Sequence, residues 1–172
     1  MHAFKYHRPS SVNDAAALMK GEAKLLAGGQ TLVQTMKLRL ASPSDIIDLG
    51  TIKDLAGIKS DGKTVTIGAM TRHAEVEHSA DVQKAIPALA ALAAMIGDRQ
   101  VRAMGTCGGA IANNDPAADY PAALLGLGAT IVTNQRKIAA DDFFKSLFET
   151  ALKPGEIVTA VSFPVPEKAA YM

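Results

Sequence analysis

The chain has 172 residues, with 18 Lys and Arg against 17 Asp and Glu, so its formal net charge is +1. Hydrophobic residues make up 48% and charged residues 20%, which excludes a disordered tail and allows a substantial core. The near-neutral charge provides no basic surface for nucleic acid, and no apolar run has the length of a transmembrane segment. With one cysteine, Cys107, no disulfide can form within the chain, so we expect a cytoplasmic location.

The first fifty residues alternate between helical and strand patterns. In chain order they predict a helix over residues 12–21, a strand over 24–27, a helix over 31–40 and a strand over 45–49. The first helix can be capped by Ser10 or Ser11, and Leu32, Met36 and Leu40 share one helical face. The strand–helix–strand order from residue 24 to 49 predicts a βαβ unit with parallel pairing.

After residue 50 the pattern favours antiparallel strands mixed with helices. The predicted segments are a hairpin over residues 57–68 around Asp61-Gly62, helices over 71–76 and 82–96, a hairpin over 130–138 around Asn134-Gln135, a short helix from 142, and a strand over 157–163. We therefore expect a small α/β lobe, residues 1–52, and a larger α+β lobe, residues 53–172.

A first glycine segment, residues 27–32 (AGGQTL), lies between a predicted strand and a predicted helix. Its glycines allow positive φ angles and close approach of a ligand, and a helix N-terminus offers free N–H groups to phosphate. The segment is neither a Walker loop nor a Gly-x-Gly-x-x-Gly motif. The alternative interpretation is a tight strand-to-helix turn without a ligand.

A second glycine segment, residues 105–113 (GTCGGAIAN), continues into a polar stretch that ends at Asp119. We expect a loop that wraps a diphosphate with its backbone N–H groups. Thr106 can donate to a phosphate oxygen, and Asp119 can accept from a ribose or ribityl hydroxyl. The alternative is a capping loop in which Asp115-Pro116 begins a helix over residues 117–125. Two such segments fit one long diphosphate ligand, for which FAD is the obvious candidate.

These two segments resemble the FAD-binding subunits of molybdenum hydroxylases. The resemblance also includes residues 36–40 (MKLRL), 67–71 (IGAMT) and 100–105 (QVRAMG), and it extends over essentially the whole chain. The carbon monoxide dehydrogenase type is nearer, and the xanthine dehydrogenase type is more distant. The resemblance implies an α+β, two-lobed FAD-binding domain of the vanillyl-alcohol-oxidase (PCMH-like) type.

The resemblance also implies partners and roles. It implies a flavoprotein oxidoreductase subunit that passes electrons from iron–sulfur clusters to a terminal acceptor, beside a molybdopterin-containing large subunit and a [2Fe-2S] small subunit. The residues implied or expected to bind FAD are Leu25, Leu26, Ala27, Gly28, Gly29, Gln30, Thr31, Leu32, Ile96, Gly105, Thr106, Cys107, Gly108, Gly109, Ala110, Asn113, Asp119 and Val158. Because the flavin supplies the redox chemistry, we expect no catalytic side chain.

The chain departs from the family pattern at three points. Cys107 occupies a position where the family has a larger aliphatic residue, and Ala110 replaces an Asn or Asp that would give FAD a side-chain hydrogen bond. A further C-terminal family domain is absent from the 172 residues, so we expect a fragment or a chain completed by another subunit. The alternative function is a structural or assembly subunit that keeps the fold without binding flavin.

Other reactive side chains predict no separate site. The histidines His2, His7, His73 and His78 are not at metal-ligand spacing and are interpreted as surface residues. Cys107 is interpreted as a small buried residue rather than a nucleophile. We also expect apolar surface for a missing domain or partner on residues 85–96 and 157–163.

Overall fold

The computed structural model describes residues 1–171, and its N-terminal part is a three-stranded parallel sheet. The elements are β1 (Lys5–His7), α1 (Val12–Leu18), β2 (Lys24–Leu26), α2 (Leu32–Lys37) and β3 (Asp45–Asp48). The strand order is β1-β3-β2, with both pairings parallel. The predicted βαβ unit is confirmed, and β1 adds a strand that the polar residues 5–7 did not indicate.

The ends of the N-terminal helices follow from local hydrogen bonds. The Ser11 hydroxyl accepts from the Asp14 N–H at 3.1 Å and caps α1, as predicted. The prediction that α2 continues to Leu40 is wrong, because Arg39 has φ of 60° and ends the helix. Leu40 is 77% exposed instead of lying on a buried helical face.

From residue 49 to 171 the structure has two short 3-10 helices (Leu49–Thr51 and Lys53–Leu55), seven α-helices and two antiparallel sheets. The elements are β4 (Ile58–Ser60), β5 (Thr64–Gly68), α3 (His73–His78), α4 (Ala80–Ala85), α5 (Pro87–Met95), α6 (Arg99–Met104), α7 (Cys107–Asn113), α8 (Tyr120–Gly126), β6 (Thr130–Thr133), β7 (Lys137–Ala139), α9 (Ala140–Phe143), β8 (Phe144–Ser146), β9 (Glu149–Thr150) and β10 (Val158–Pro164). Five strands form one sheet in the order β4-β5-β10-β6-β7. Both predicted hairpins are confirmed as β4-β5 and β6-β7.

Two predicted helices begin or continue differently. The helix expected over residues 82–96 is divided into α4 and α5, because Pro87 disfavours helical geometry at Ile86, where φ is −140°. The helix expected to begin near Asp115-Pro116 begins at Tyr120, with Pro121 in its first turn.

The main core lies between the five-stranded sheet and the helices α3, α4, α5, α7 and α8. Leu89 and Leu92 of α5, and Val161 and Phe163 of β10, are all buried in it. The expectation of apolar surface is therefore wrong for the large side chains of residues 157–163, whereas in residues 85–96 Met95 is 64% exposed. Among residues 1–171, no helix combines the length and apolarity that crossing a membrane requires.

A second core lies beneath the parallel sheet and joins the two parts of the chain. It contains Ala15 and Ile47 of the N-terminal part together with Leu55 and Ile157 from beyond residue 52. The division into residues 1–52 and 53–172 stays a prediction. The shared core means that the two parts are packed directly against each other.

Candidate functional site

The two glycine segments meet backbone to backbone. A Cβ atom on Gly28, which follows β2, would lie 2.6 Å from the Cα atom of Gly105 and would overlap the carbonyl oxygen of Met104. A side chain at position 28 would therefore push the segments apart. The absence of one at Gly28 is what allows the end of α6 to approach the end of β2.

A cavity of about 560 Å³ opens where the segments meet. Most of the residues predicted to bind FAD line this cavity: Leu25, Ala27, Gly28, Gly29, Gln30, Thr31, Leu32, Gly105, Thr106, Gly108, Gly109, Ala110, Asn113 and Val158. The structure thus brings both segments and the first residue of β10 around a single space.

Four of the predicted residues do not line the cavity. Leu26 is half-buried beside it, and Ile96 packs against the main core. Cys107 is fully buried in that core, and its burial raises the pKa of the thiol to about 12, so it stays protonated. Asp119 accepts a hydrogen bond from the Tyr171 hydroxyl at 2.6 Å. A direct FAD contact by these four residues stays a prediction.

The first segment leaves its backbone donors free. In the described part of the chain, no hydrogen-bond acceptor receives the backbone N–H groups of the five residues Gly28 to Leu32. Gly29 has φ of 72°, a left-handed conformation that suits glycine, and the Gln30 amide donates to the Gly28 carbonyl oxygen at 3.3 Å. Five consecutive free N–H groups on cavity-lining residues fit the oxygens of a phosphate or diphosphate.

The second segment is not the open loop that the sequence led us to expect. Thr106 precedes the first residue of α7, and its side-chain oxygen accepts from the Gly109 N–H at 3.2 Å. The Cys107 N–H donates to the Thr71 carbonyl oxygen at 2.9 Å, and the Gly108 N–H donates to the Ala69 carbonyl oxygen at 2.8 Å. These three donors therefore have protein acceptors, whereas no acceptor among the described residues receives the Thr106 N–H. That this segment wraps a diphosphate stays a prediction.

The two adjacent glycines of α7 have different neighbours. A Cβ atom on Gly108 would lie 2.5 Å from the Cβ and 2.7 Å from the Cα of Ala69, so this glycine is needed for close helix packing. A Cβ atom on Gly109 would lie 2.8 Å from the Thr106 hydroxyl oxygen and 3.4 Å from the Cβ of Ala27. Of these two glycines, Gly109 is therefore the one that faces the first segment.

Thr106 and Lys24 give the cavity its means of holding an anion. Thr106 lines the cavity, and its hydroxyl hydrogen has no acceptor among the described residues. Lys24, at the start of β2, places a cationic side chain on the lining, while Asp115 contributes an acidic one. Leu25, Ile157 and other aliphatic groups make the remaining wall apolar, which suits the planar rings of a dinucleotide.

The interpretation of His73 as a surface residue is wrong. This residue is 4% exposed, lines the cavity and packs against Tyr120 with ring centroids 5.4 Å apart. Burial lowers the pKa of the imidazole to about 4, and the negative charge of Asp119 raises it by a smaller amount. The ring is therefore neutral at pH 7. Within the described chain, neither its Nδ1 atom nor the Tyr120 hydroxyl has a hydrogen-bond partner.

Several lining residues were missed from the sequence: Lys24, Leu49, Ala69, Met70, His73, Val101, Ala112, Asp115, Ala117, Ala118, Phe148 and Ile157. Ile157 stands next to the predicted Val158, and Ala69 and Met70 lie within a segment of the family resemblance. Those positions offered a signal. Lys24, His73 and Phe148 offered none, because their place in the cavity depends on contacts between distant parts of the chain.

An ion pair between the buried Glu156 and the partly exposed Arg136 fixes the turn that leads to Ile157 and Val158. The Glu156 carboxylate accepts from Arg136 at 2.8 and 3.0 Å, from the Thr133 hydroxyl at 2.8 Å and from the Lys153 N–H at 2.9 Å. The hydrogen bond from Arg136, with smaller contributions from Lys153 and Thr133, lowers the pKa of Glu156 to about 2. The ionised carboxylate thereby holds the turn against β6.

Comparison with known proteins agrees with this geometry. Residues 2–166 match the family described as the FAD binding domain in molybdopterin dehydrogenase, and the chain belongs to that family. It is 43% identical over 171 residues to the carbon monoxide dehydrogenase medium chain of Afipia carboxidovorans, covering 95% of this chain and 59% of that one. It is 40% identical to the glyceraldehyde dehydrogenase medium chain of Sulfolobus acidocaldarius, over 94% of this chain and 60% of that relative.

The structural comparison gives the same family. Reconstituted CO dehydrogenase from Oligotropha carboxidovorans superposes with a TM-score of 0.92 at 41% identity, over 96% of this chain and 60% of that one. The chain thus spans about three fifths of the length of these relatives. The family resemblance, the α+β fold and FAD as the cofactor are confirmed, and the xanthine dehydrogenase type is more distant at 28% identity.

Proposed function

We propose that this chain is the FAD-binding, electron-transfer part of a cytoplasmic molybdenum hydroxylase complex. Its partners would be a molybdopterin-containing large subunit and a [2Fe-2S] small subunit, and its task would be to pass electrons from iron–sulfur clusters to a terminal acceptor. The names of the relatives, which are medium chains of dehydrogenases, support this assignment. The observation that carries it is the row of free N–H groups from Gly28 to Leu32 on the cavity wall.

The residues of the chain have distinct tasks in this proposal. The N–H groups of residues 28–32 donate to the FAD diphosphate, and the Thr106 hydroxyl adds a donor from the opposite segment. Lys24 offsets part of the negative charge, and Val158 and the aliphatic wall exclude water from the rings. When bound, FAD supplies the redox chemistry, and the chain supplies its position and electrostatic surroundings.

A second candidate is a structural or assembly subunit that binds no flavin. Ala110 supports it, because its methyl group lines the cavity without a polar atom, and its N–H is taken by the Thr106 carbonyl oxygen at 3.0 Å. The second segment alone therefore provides few contacts. The free donors of the first segment favour the flavin-binding function.

The experiment is a calorimetric titration of the chain with FAD and, separately, with FMN. FMN lacks the second phosphate and the adenosine, so a site that holds the diphosphate and both ring systems should bind it at least tenfold more weakly. Equal affinities for FMN and FAD would contradict the diphosphate site. An absence of binding by either, with a folded chain by circular dichroism, would favour the structural subunit.

A further inference from the structure

Phe148 adopts a backbone conformation that a bulky residue rarely takes. Its φ is 58°, in the left-handed region, and it lies between β8 and β9 at the tip of a short hairpin. Its residue surface is 60% exposed, so burial in a core does not compensate for this conformation. A tight hairpin turn commonly needs a positive φ, but glycine, asparagine or aspartate usually supplies it, so a bulky aromatic residue at this position calls for an explanation.

Asn114 holds the hairpin tip in place from the end of the glycine-containing helix α7. Its side-chain amide donates to the carbonyl oxygens of Ser146 at 2.8 Å and Glu149 at 2.9 Å. The Phe148 N–H donates in turn to the Asn114 carbonyl oxygen at 3.1 Å. These three hydrogen bonds join the hairpin to the element that forms one side of the cavity.

The consequence of this attachment is that Phe148 lines the cavity. Its neighbour Leu147, at the same tip and 70% exposed, does not line it. The tip therefore presents one aromatic ring to the ligand space and directs the adjacent aliphatic group elsewhere. The cofactor of this family contains two flat heteroaromatic systems, adenine and isoalloxazine, both of which stack on aromatic side chains.

We propose that Phe148 is a ligand-contact residue whose ring stacks on a planar ring of FAD. This inference rests on the proposed function, because it needs FAD in the cavity. It adds an aromatic contact that the glycine segments do not provide, from a hairpin far from both segments in sequence. The left-handed backbone at position 148 is then explained by the direction in which the ring must point.

The test is FAD titration of the chain carrying Phe148→Ala, with Leu147→Ala as the matched control from the same hairpin tip. Stacking on an aromatic residue is worth about 1–3 kcal/mol, which corresponds to a loss of affinity of roughly 5- to 150-fold. We expect such a loss for Phe148→Ala, less than a twofold change for Leu147→Ala, and retained affinity for Phe148→Tyr. Equal, small changes in Phe148→Ala and Leu147→Ala would overturn the proposal.

Two further measurements separate contact from folding and identify the ring. Phe148→Gly permits the left-handed backbone, so its urea midpoint should be at least that of the wild type while its FAD affinity falls. A lower midpoint with unchanged affinity would make Phe148 a structural residue and overturn the inference. Titrations of Phe148→Ala with ADP and with FMN assign the stack to adenine or to isoalloxazine, according to which affinity falls.

The failure of this inference is distinguishable from failure of the proposed function. If the wild-type chain does not bind FAD, the function itself is wrong. If the wild type binds FAD and Phe148→Ala binds it equally well, the FAD site stands and only the stacking contact is wrong.

Discussion

The two glycine segments, residues 27–32 and 105–113, have similar compositions but use their backbones in opposite ways. In the described chain, the first leaves five N–H groups without protein acceptors, while the second donates the N–H groups of residues 107–109 to Thr71, Ala69 and Thr106. One segment is thus free to bind a ligand, and the other is bonded to the protein that positions it. Glycine content alone does not distinguish a binding backbone from a tightly packed one; the hydrogen-bond partners do.

The largest effect should come from Gly108→Val in the packed segment. The new side chain would collide with Ala69, the buried residue that follows β5, so we expect the free energy of unfolding to fall by about 3 kcal/mol or more. Urea denaturation measures this. Gly126→Ala is the control, because a Cβ atom at Gly126 meets nothing within 4 Å. A stable, normally packed Gly108→Val would mean that the segment is more open than described.

The turn beside the cavity gives the next largest effect. Glu156→Ala would remove the carboxylate acceptor that Arg136 and the Thr133 hydroxyl share, while each keeps a backbone carbonyl acceptor. Because the Arg136 side chain is also 37% exposed, we expect about 2 kcal/mol of destabilisation. The wild type should also lose stability in acid. Because the folded pKa of Glu156 is lowered to about 2, its contribution is complete above the unfolded value near 4.5 and is lost as the pH falls toward 2. Glu156→Ala should lack this loss between pH 4.5 and 2.

His73, which packs against the second segment at Gly105, should make stability depend on pH in a different window. Its pKa is lowered to about 4 from 6.5, so below pH 6.5 the unfolded chain binds a proton that the folded chain does not. The free energy of unfolding should therefore fall by about 1–2 kcal/mol between pH 7 and 5. The urea midpoint of His73→Gln should change less with pH over this interval than that of the wild type. An equal dependence of the two midpoints on pH would contradict the burial of a neutral ring.

The smallest effect on stability should come from Gly29→Ala in the free segment. Its φ of 72° is unfavourable for alanine, so we expect a loss of about 1 kcal/mol. Gly62→Ala is a matched control, because Gly62 has φ of 85° in the hairpin turn far from the cavity lining. Gly29→Ala should lose somewhat more stability than the control, because its Cβ atom would lie 3.1 Å from the Cγ2 atom of Val33 whereas one at Gly62 meets nothing within 4 Å. Only Gly29→Ala should weaken FAD binding in calorimetry. Equal FAD affinity in the two variants would mean that the first segment does not hold the cofactor.

The sequence predicted those features that depend on local chemistry. The βαβ unit and the two hairpins follow from apolar runs and turn residues that are close in the chain. The division between α4 and α5 was also available from Pro87, although the alanine-rich pattern obscured it. The two glycine segments could be located because each lies next to a predicted strand or helix.

The remaining features depend on contacts that no local pattern contains. Gly28 and Gly108 look alike in sequence, yet the neighbours that define their roles, Gly105 and Ala69, are distant in the chain. The burial of His73 and the position of Phe148 likewise depend on how helices and hairpins pack. The sequence therefore located the two segments of the candidate site. The role of each glycine within them could be assigned only from the structure.

The contact between Gly28 and Gly105 has a consequence for the order of folding. It closes a long stretch of chain that includes the β4-β5 hairpin and the five helices α2 to α6. Contacts of such sequence separation form late because their loop-closure entropy is large. The parallel strands and the hairpins can form before this closure, but the cavity cannot. The capacity to bind FAD should therefore appear only in the last kinetic phase of refolding, after the far-ultraviolet circular dichroism has recovered.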